Sequence, residues 1–356
     1  DTGIDYNHSA LGAGWGNKVI AGYDFYNNDS DPWDDQGHGT HVAGIVASTD
    51  GTYQGVAPSA KLIAMKVCDS GGSCADADVL AGLEWCINNA VMYNISVISI
   101  SLGGGQYSSY CDAESDFVPY ASVINDAVSK GISFVAATGN GGVGSIAGPA
   151  CVQNATRVTA TTKSDAMASY GSRHSFFTDI IAAPGSSITS LNDGGGTISM
   201  SGTSMAAPQV SGAIVLMKQY WKLAYGEVPM PEQVEQKILT TGKQIYDDST
   251  NKNYARADVL ALLQPLLTFT DAPANGSVLN ATSVILEVTS DVELSSAVLE
   301  LTYPNSYSNG SSVNLDMNPD SATQFSLLLS DLSKGPHTYR VYGTDGVGTT
   351  GVSSLQ

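Results

Sequence analysis

A serine at the start of a helix can attack a carbonyl, because its hydroxyl and N–H lie beside the positive end of the helix dipole. The stretch Met200-Ser201-Gly202-Thr203-Ser204-Met205-Ala206-Ala207-Pro208 offers such a serine. Gly202 permits a tight turn. Ala206, Val210, Ala213, Ile214, Met217 and Trp221 recur at helical spacing, which predicts a helix with one apolar face over 204–224. Pro208 reads as part of the helix start, where a missing N–H costs little. Taken alone, Ser204 reads equally as an N-cap. Two more stretches bear on the choice. Gly37-His38-Gly39-Thr40-His41-Val42-Ala43-Gly44 opens a second small-residue helix, and Asp1-Thr2-Gly3-Ile4-Asp5 begins the sequence. Together they supply an acid, a base and a nucleophile, in the order Asp, His, Ser. A serine hydroxyl needs an adjacent base before it can attack. A histidine can take that proton and return it to a leaving group.

These motifs resemble those of the subtilisin-like serine proteases: D-T-G-I-D at Asp1–Asp5, G-H-G-T-H-V-A-G at Gly37–Gly44 and G-T-S-M-A-A-P at Gly202–Pro208. The order is that of subtilisin, and the likeness runs over roughly residues 1–265. It implies an endopeptidase with Ser204 as nucleophile, His38 as base and Asp1 orienting the imidazole. Ala136–Asn140 resembles the family's oxyanion segment, which makes the Asn140 side-chain amide and the Ser204 N–H the donors. Ser101-Leu102-Gly103-Gly104-Gly105 resembles the edge that pairs with an extended peptide, a mode that Gly-rich backbone suits. Thr138 and Gly139 correspond to a wall of the pocket for the residue before the cut, and Ala147–Ala150 to its base. Small residues there imply a roomy apolar pocket. Asp112, Glu114 and Asp116 lie in an insertion after the Gly run and read either as a solvated loop or as a preference for basic substrate side chains. His41, one turn after His38, takes the family's structural role.

The sequence also departs from the family. In subtilases the acid ends a buried parallel strand, whereas here Asp1 is the first residue. That suggests a fragment of a longer precursor, and the resemblance implies a signal peptide and a folding-assisting propeptide upstream. Many subtilases carry an aspartate nine residues after the catalytic one; Ala10 stands there, and the later ligand loop is cut to Asp50–Gly55. That calcium site is expected to be lost. Asp24, Asn27, Asn28, Asp29, Asp31 and Asp34 form an oxygen-rich run of the kind calcium takes. Asp24, Asp29, Asp31 and Asp34 are therefore candidate calcium ligands, with a solvated acidic loop as the alternative. No cofactor is needed for the chemistry itself.

The elements that must place these residues follow from periodicity. Val19–Tyr23 is a short apolar run, and strands are expected at Lys61–Val67, Ser96–Leu102, Ser133–Ala137, Val158–Thr161 and Asp179–Ala183. Helices are expected at His38–Ser48, Asp76–Tyr93, Phe117–Lys130, Ser204–Ala224, Pro231–Thr241 and Arg256–Leu263. Strands alternating with helices predict an α/β domain, 1–265, with a mostly parallel sheet and helices on both faces. Ligands in such sheets sit at the carboxyl ends of strands. There Asp1, Gly103, Asn140 and the turn before Ser204 would meet. Near Gln264 the composition shifts to Ser, Thr, Asn and Val. Alternating runs at Ser283–Val288, Ala297–Tyr303, Gln324–Leu329 and His337–Tyr342, with turns such as Asp271–Gly276 and Asn309-Gly310 between, predict an antiparallel β-sandwich over 268–356. It resembles the immunoglobulin-like domains appended to secreted proteins, as a spacer, a binding module or a folding aid.

Composition limits the rest. The 356 residues are 42% hydrophobic, 14% charged and carry a net charge of −19. Disorder is excluded, and so is a basic stripe for nucleic acid. No apolar run reaches the length of a membrane span. Among five cysteines, Cys68 and Cys74 flank Asp69–Ser73, Cys111 and Cys151 lie in loops after core strands, and Cys86 falls in a helix. Two disulfides and one buried thiol fit an extracellular or cell-surface protein, although pairing cannot be fixed from sequence and five free thiols stay open. Asn275-Gly276-Ser277 and Asn280-Ala281-Thr282 match a glycosylation pattern that is frequent by chance. A lipase-type reading of Gly202–Ala206 fails, since that fold needs its acid and base after the serine and His337 is the only later histidine. A subtilisin-fold binding module, inactive in this form, remains the alternative to a protease.

Overall fold

The computed structural model describes residues 1–264, 267–271, 283–302, 312–330 and 338–353. They fall into two compact units, Asp1–Val259 and Leu260–Gln356.

The first unit runs β1 (Val19–Asp24), α1 (His38–Ala47), β2 (Leu62–Lys66), α2 (Asp76–Asn88), α3 (Ala90–Tyr93), β3 (Val97–Ile100), β4 (Gly104–Tyr107), α4 (Val118–Ser129), β5 (Ser133–Ala137), β6 (Ile146–Gly148), β7 (Thr156–Thr161), β8 (Ile181–Pro184), β9 (Ile188–Leu191), β10 (Thr197–Met200), α5 (Thr203–Tyr225), α6 (Pro231–Thr241), β11 (Lys243–Asp247) and β12 (Lys252–Arg256). A six-stranded sheet has the order β11-β12-β8-β7-β5-β3. It is parallel except at the β11–β12 hairpin. Every residue of β5 and β7 is buried, as expected of central parallel strands covered on both faces. Helix α5 packs across β3, β5, β7 and β8 beside α1, while α2 packs on α4. Lys218 of α5 is buried, and its Nζ donates to Ser96 O and Gly131 O, each at 2.8 Å. Burial pulls its pKa down to about 8.

Strands β1 and β2 form a separate parallel pair. An apolar cavity of about 400 Å³ is lined by β2, by β3 and by Leu83 and Cys86 of α2. Asp1 is held beside it: its N donates to Met65 O at 3.1 Å, and Val67 N donates to Asp1 O at 2.9 Å.

Several element boundaries differ from expectation. The long helix expected over Asp76–Tyr93 breaks at Asn89, whose Nδ2 donates to Trp85 O at 2.8 Å, a local bond that competes with the helix. Instead of a helix starting at Arg256, the chain makes the β11–β12 hairpin, and only Val259–Leu262 is helical (α7). The hairpin β9–β10 has no counterpart among the expected strands, although Asp193-Gly194 between alternating residues is a turn signal.

The second unit contains β13 (Leu267–Asp271), β14 (Ser283–Ser290), β15 (Leu294–Thr302), β16 (Ser312–Asp316), β17 (Asn318–Pro319), β18 (Gln324–Ser330), β19 (Thr338–Asp345) and β20 (Thr350–Val352). They form two four-stranded antiparallel sheets, ordered β13-β14-β18-β17 and β16-β15-β19-β20. Ala297, Leu299 and Leu301 are buried along β15, and Leu286 and Val288 along β14, which is the two-residue period of half-buried strands. Asn275–Ser277, Asn280–Thr282, Asn309-Gly310 and His337 lie outside the described residues.

Candidate active site

Ser204 is the second residue of α5. Gly202 N donates to Gly185 O at 2.9 Å, which fixes the turn before the helix. A Cβ on Gly202 would stand 3.3 Å from Asn140 Nδ2, so the glycine leaves room for that amide. Asn140 Oδ1 accepts from Thr203 N at 2.9 Å and Thr203 Oγ1 at 3.2 Å. With its oxygen occupied, the asparagine turns its NH₂ to the other side as a donor. Gly139, at φ +96°, lets the chain turn after β5 so that Asn140 reaches α5.

Pro208 lies sixth in α5 rather than in its first turn. Lacking an N–H, it leaves Ser204 O without the usual helical donor. Ser101 Oγ supplies one at 3.0 Å, and Ser204 Oγ donates back to Ser101 O at 3.1 Å. Ser101 is thus buried behind the nucleophile candidate. Among the described residues no hydrogen bond joins Ser204 Oγ to His38.

His38 is the first residue of α1. Its Nδ1 donates to Asp1 Oδ1 at 2.8 Å, with side chains 26% and 20% exposed respectively. This bond fixes the tautomer and leaves Nε2 with its lone pair. Burial lowers the His38 pKa from 6.5, so the ring is neutral at pH 7 and available as a base. Asp1 Oδ1 also accepts Thr2 N at 2.8 Å, while the buried Oδ2 has no partner. His41 is fully buried, and its Nε2 lies 3.2 and 3.1 Å from Ile188 O and Ile198 O. Burial lowers its pKa too, and it anchors α1 to the β9–β10 hairpin that leads into Ser204.

The Asp1 and His38 segments are clamped together by Asp34, which is 1% exposed. Asp34 Oδ2 accepts Thr40 N at 2.8 Å and Thr40 Oγ1 at 2.6 Å. Its Oδ1 accepts Gly37 N at 2.9 Å and Thr2 Oγ1 at 2.8 Å, and Thr2 Oγ1 in turn accepts Gly39 N at 2.9 Å. Burial alone would raise the Asp34 pKa, but the bonds from Thr40, Gly37 and Thr2 outweigh it and hold it below 3.8. Lys66 Nζ, also buried, donates to Thr2 O at 2.7 Å and Asp35 Oδ1 at 2.6 Å.

The four candidate calcium ligands each have protein partners. Asp34 faces inward to α1. Asp24 accepts both donors of Asn27, at 2.8 Å each, Asp31 accepts Tyr6 OH at 2.7 Å, and Asp29 accepts Asp31 N at 2.9 Å. Among the described residues no three His, Cys, Asp or Glu side chains are grouped to hold a metal ion.

Asp1, His38, Ser204 and Asn140 line one cleft of about 740 Å³. Ser101, Leu102, Gly103, Gly104, Gly139, Gly148 and Pro149 also border it. A Cβ on Gly103 would fall 2.3 Å from Gly148 O, so glycine is required where β4 meets β6. Thr138 does not reach the cleft: it is fully buried, and its Oγ1 donates to Ser172 O at 2.7 Å. The alternation of side chains at a strand end turns it to the opposite face from Gly139. Cys68 and Cys74 are bonded, as are Cys111 and Cys151, and Cys86 is a buried thiol. Burial pushes that thiol up to about 12. The bonded pair at 68 and 74, with Gly71 and Gly72 between, forms one rim of the cleft, and Asp76 and Asp116 face it as well.

An Asp–His pair and a helix-start serine in one cleft, on a parallel sheet, is an arrangement that comparison with known proteins places. The chain is 36% identical over 247 residues to alkaline serine exoprotease A of Vibrio alginolyticus, covering 68% of this chain and 41% of that protein. It is 38% identical over 221 residues to subtilisin Savinase of Lederbergia lenta, covering 62% and 74%. It is 35% identical over 245 residues to thermitase of Thermoactinomyces vulgaris, covering 68% and 81%. The crystal structure of a cold-adapted subtilisin-like serine proteinase superposes with a TM-score of 0.60 at 33% identity, covering 72% of this chain and 87% of that one. The chain spans only about half the length of some relatives, 41% of the Vibrio protein and 56% of the thermophilic serine proteinase of Bacillus sp. (strain AK1). Among the described residues no helix is long and apolar enough to cross a membrane. The subtilase family model matches residues 1–260, and with the motifs and the fold in agreement the chain belongs to the subtilase family.

Proposed function

We propose that this protein is an extracellular serine endopeptidase acting through Asp1, His38 and Ser204. The observation that carries the reading is the 2.8 Å Asp1–His38 bond in the cleft that also holds Ser204 and Asn140. His38 Nε2 takes the Ser204 proton as Oγ attacks the peptide carbonyl, and later returns it to the leaving amine. Asp1 stabilises the imidazolium between these steps. The tetrahedral oxyanion is held by Asn140 Nδ2 and the Ser204 N–H, aided by the α5 dipole. Substrate lies extended along Leu102, Gly103 and Gly104, and the side chain before the cut sits between Gly139 and Gly148–Pro149. The substrates are proteins or peptides. The acidity of the chain disfavours nucleic acid, and a propeptide in a longer precursor is part of this reading, as is an immunoglobulin-like role for the second unit.

A second reading, a subtilisin-fold binding module, is favoured by one observation: Ser204 Oγ points its proton to Ser101 O rather than to His38. Catalytic hydrogen bonds are often long or misaligned before substrate binds, so the protease reading stands ahead. A fluorescent serine-directed phosphonate distinguishes them. Labelling that is lost in S204A is the expected result; a folded protein that takes no label belongs to the second reading.

A further inference from the structure

Arg157, the second residue of β7, is the largest of the fully buried side chains among the described residues. Its Nε donates to Ala150 O at 3.0 Å, and its Nη2 to Val152 O at 2.8 Å and Gln153 O at 3.0 Å. Nη1 pairs with Asp179. The rings of Tyr110 and Phe177 cover the guanidinium, their centroids 5.4 and 5.3 Å away. Three of its donors thus end on one short segment, 150–153, which directly follows the cleft residues Gly148 and Pro149. That segment has only small or polar side chains besides Val152, and Ala150, Cys151 and Val152 are fully buried. The segment is also tied by the Cys111–Cys151 bond, by Cys111 N to Cys151 O at 3.2 Å, by Val152 N to Pro149 O at 3.0 Å, by Ala155 N to Val152 O at 3.1 Å and by Gln153 N to Asp112 Oδ2 at 3.0 Å.

A buried ion pair is a poor device for stability alone, since a well-packed apolar residue often does as well. A planar fork that fixes three carbonyls of one turn is a good device for shape. We infer that Arg157 is a positioning residue that fixes the 149–153 turn and thereby sets the depth of the pocket for the substrate side chain before the cut. Arg157 touches no substrate, and the inference rests on the protease reading above. A pocket walled by glycines has little side-chain bulk with which to discriminate, so its selectivity depends on how firmly its floor is held.

The test uses succinyl-Ala-Ala-Pro-X p-nitroanilides with X alanine, leucine or phenylalanine, on protein titrated with the phosphonate. R157M/D179N removes the fork together with its carboxylate partner, and R157K keeps the charge but offers a single nitrogen to three carbonyls. In R157M/D179N the ratio of kcat/KM for phenylalanine over alanine is expected to fall at least fivefold, with the loss in KM for the larger side chains and not in kcat. R157K is expected to lie between that variant and the wild type. If R157M/D179N does not fold, R157K decides: a folded R157K with the wild-type ratio overturns the inference. A folded double variant with an unchanged ratio, or with its loss in kcat for all three substrates alike, overturns it too. Wild-type protein that neither hydrolyses the substrates nor takes the label refutes the protease reading first, and this inference with it.

Discussion

The Ser101–Ser204–Pro208 arrangement yields a double-mutant test. In S101A the Ser204 carbonyl loses the donor at 3.0 Å, and Pro208 has no N–H to replace it. A buried carbonyl left without a partner costs about 1–3 kcal/mol. For a unit of this size each kcal/mol moves Tm by about 2–4 °C. The same loss lets the first turn of α5 shift, so kcat should fall roughly tenfold for each 1.4 kcal/mol of transition-state misplacement. P208A restores the helical N–H four residues on, at an entropic cost of about 0.4–1 kcal/mol from the looser unfolded chain. In S101A/P208A that N–H takes the place of the lost hydroxyl. The double variant should therefore be more stable than the sum of the single effects by about 1 kcal/mol, within the range of direct couplings. Calorimetry on all four proteins measures the cycle, and chromogenic peptide hydrolysis follows kcat. Strict additivity would show that Ser101 and Pro208 do not share the Ser204 carbonyl, and the account of the helix start would be wrong.

Replacing Asn140 by alanine should lower kcat with little change in KM; in subtilisin itself the corresponding loss is about 2.7–4 kcal/mol. Because burial lowers the His38 pKa from 6.5, the acid limb of kcat/KM against pH should have its midpoint below 6.5, and a midpoint above 7 would contradict the buried, neutral base. Asp34 is held below 3.8 in the folded state, so its stabilisation is complete above that value and is lost as pH falls through the folded pKa. D34A should therefore lower Tm by more at pH 7 than in strong acid, which a Tm series from pH 2 to pH 7 would read. Cys68 and Cys74 are six residues apart, and closing a loop of that length is worth about 2 kcal/mol on the chain-entropy estimate. C68S/C74S should accordingly lower Tm and raise KM, since the stapled loop is a rim of the cleft; an unchanged KM would remove that loop from substrate binding.

What could be read in the sequence was whatever is local. Asp1, His38 and Ser204 each sit in a run whose glycines and small residues are there for the turn or the close packing that the side chain needs, so the run reveals the role. Gly39 would clash with Gly3 O at 2.0 Å if it carried a Cβ, and that contact brings the acid and base segments together. Asn140 was legible for the same reason, next to a glycine at the end of an apolar strand. Residues that act on another part of the chain were not legible. Asp34 in an acidic run looks like a calcium ligand, because a carboxylate that caps a helix and one that binds a metal have the same neighbours in sequence. Only its bonds to Thr2, Gly37 and Thr40 tell them apart. Thr138 failed for a smaller reason, the alternation of side chains across a strand, which is uncertain at the last residue. Arg157 left no signal beyond a lone charge in a buried strand, Thr156–Thr161. Such a charge in an otherwise uncharged, fully covered strand must be satisfied by buried partners, and in this protein those are Asp179 and three carbonyls of the preceding turn, whose orientation the sequence does not display. An unexplained ionic residue within a central strand is thus a pointer to the carbonyls of the turn that leads into that strand, and here that turn directly follows the cleft residues Gly148 and Pro149.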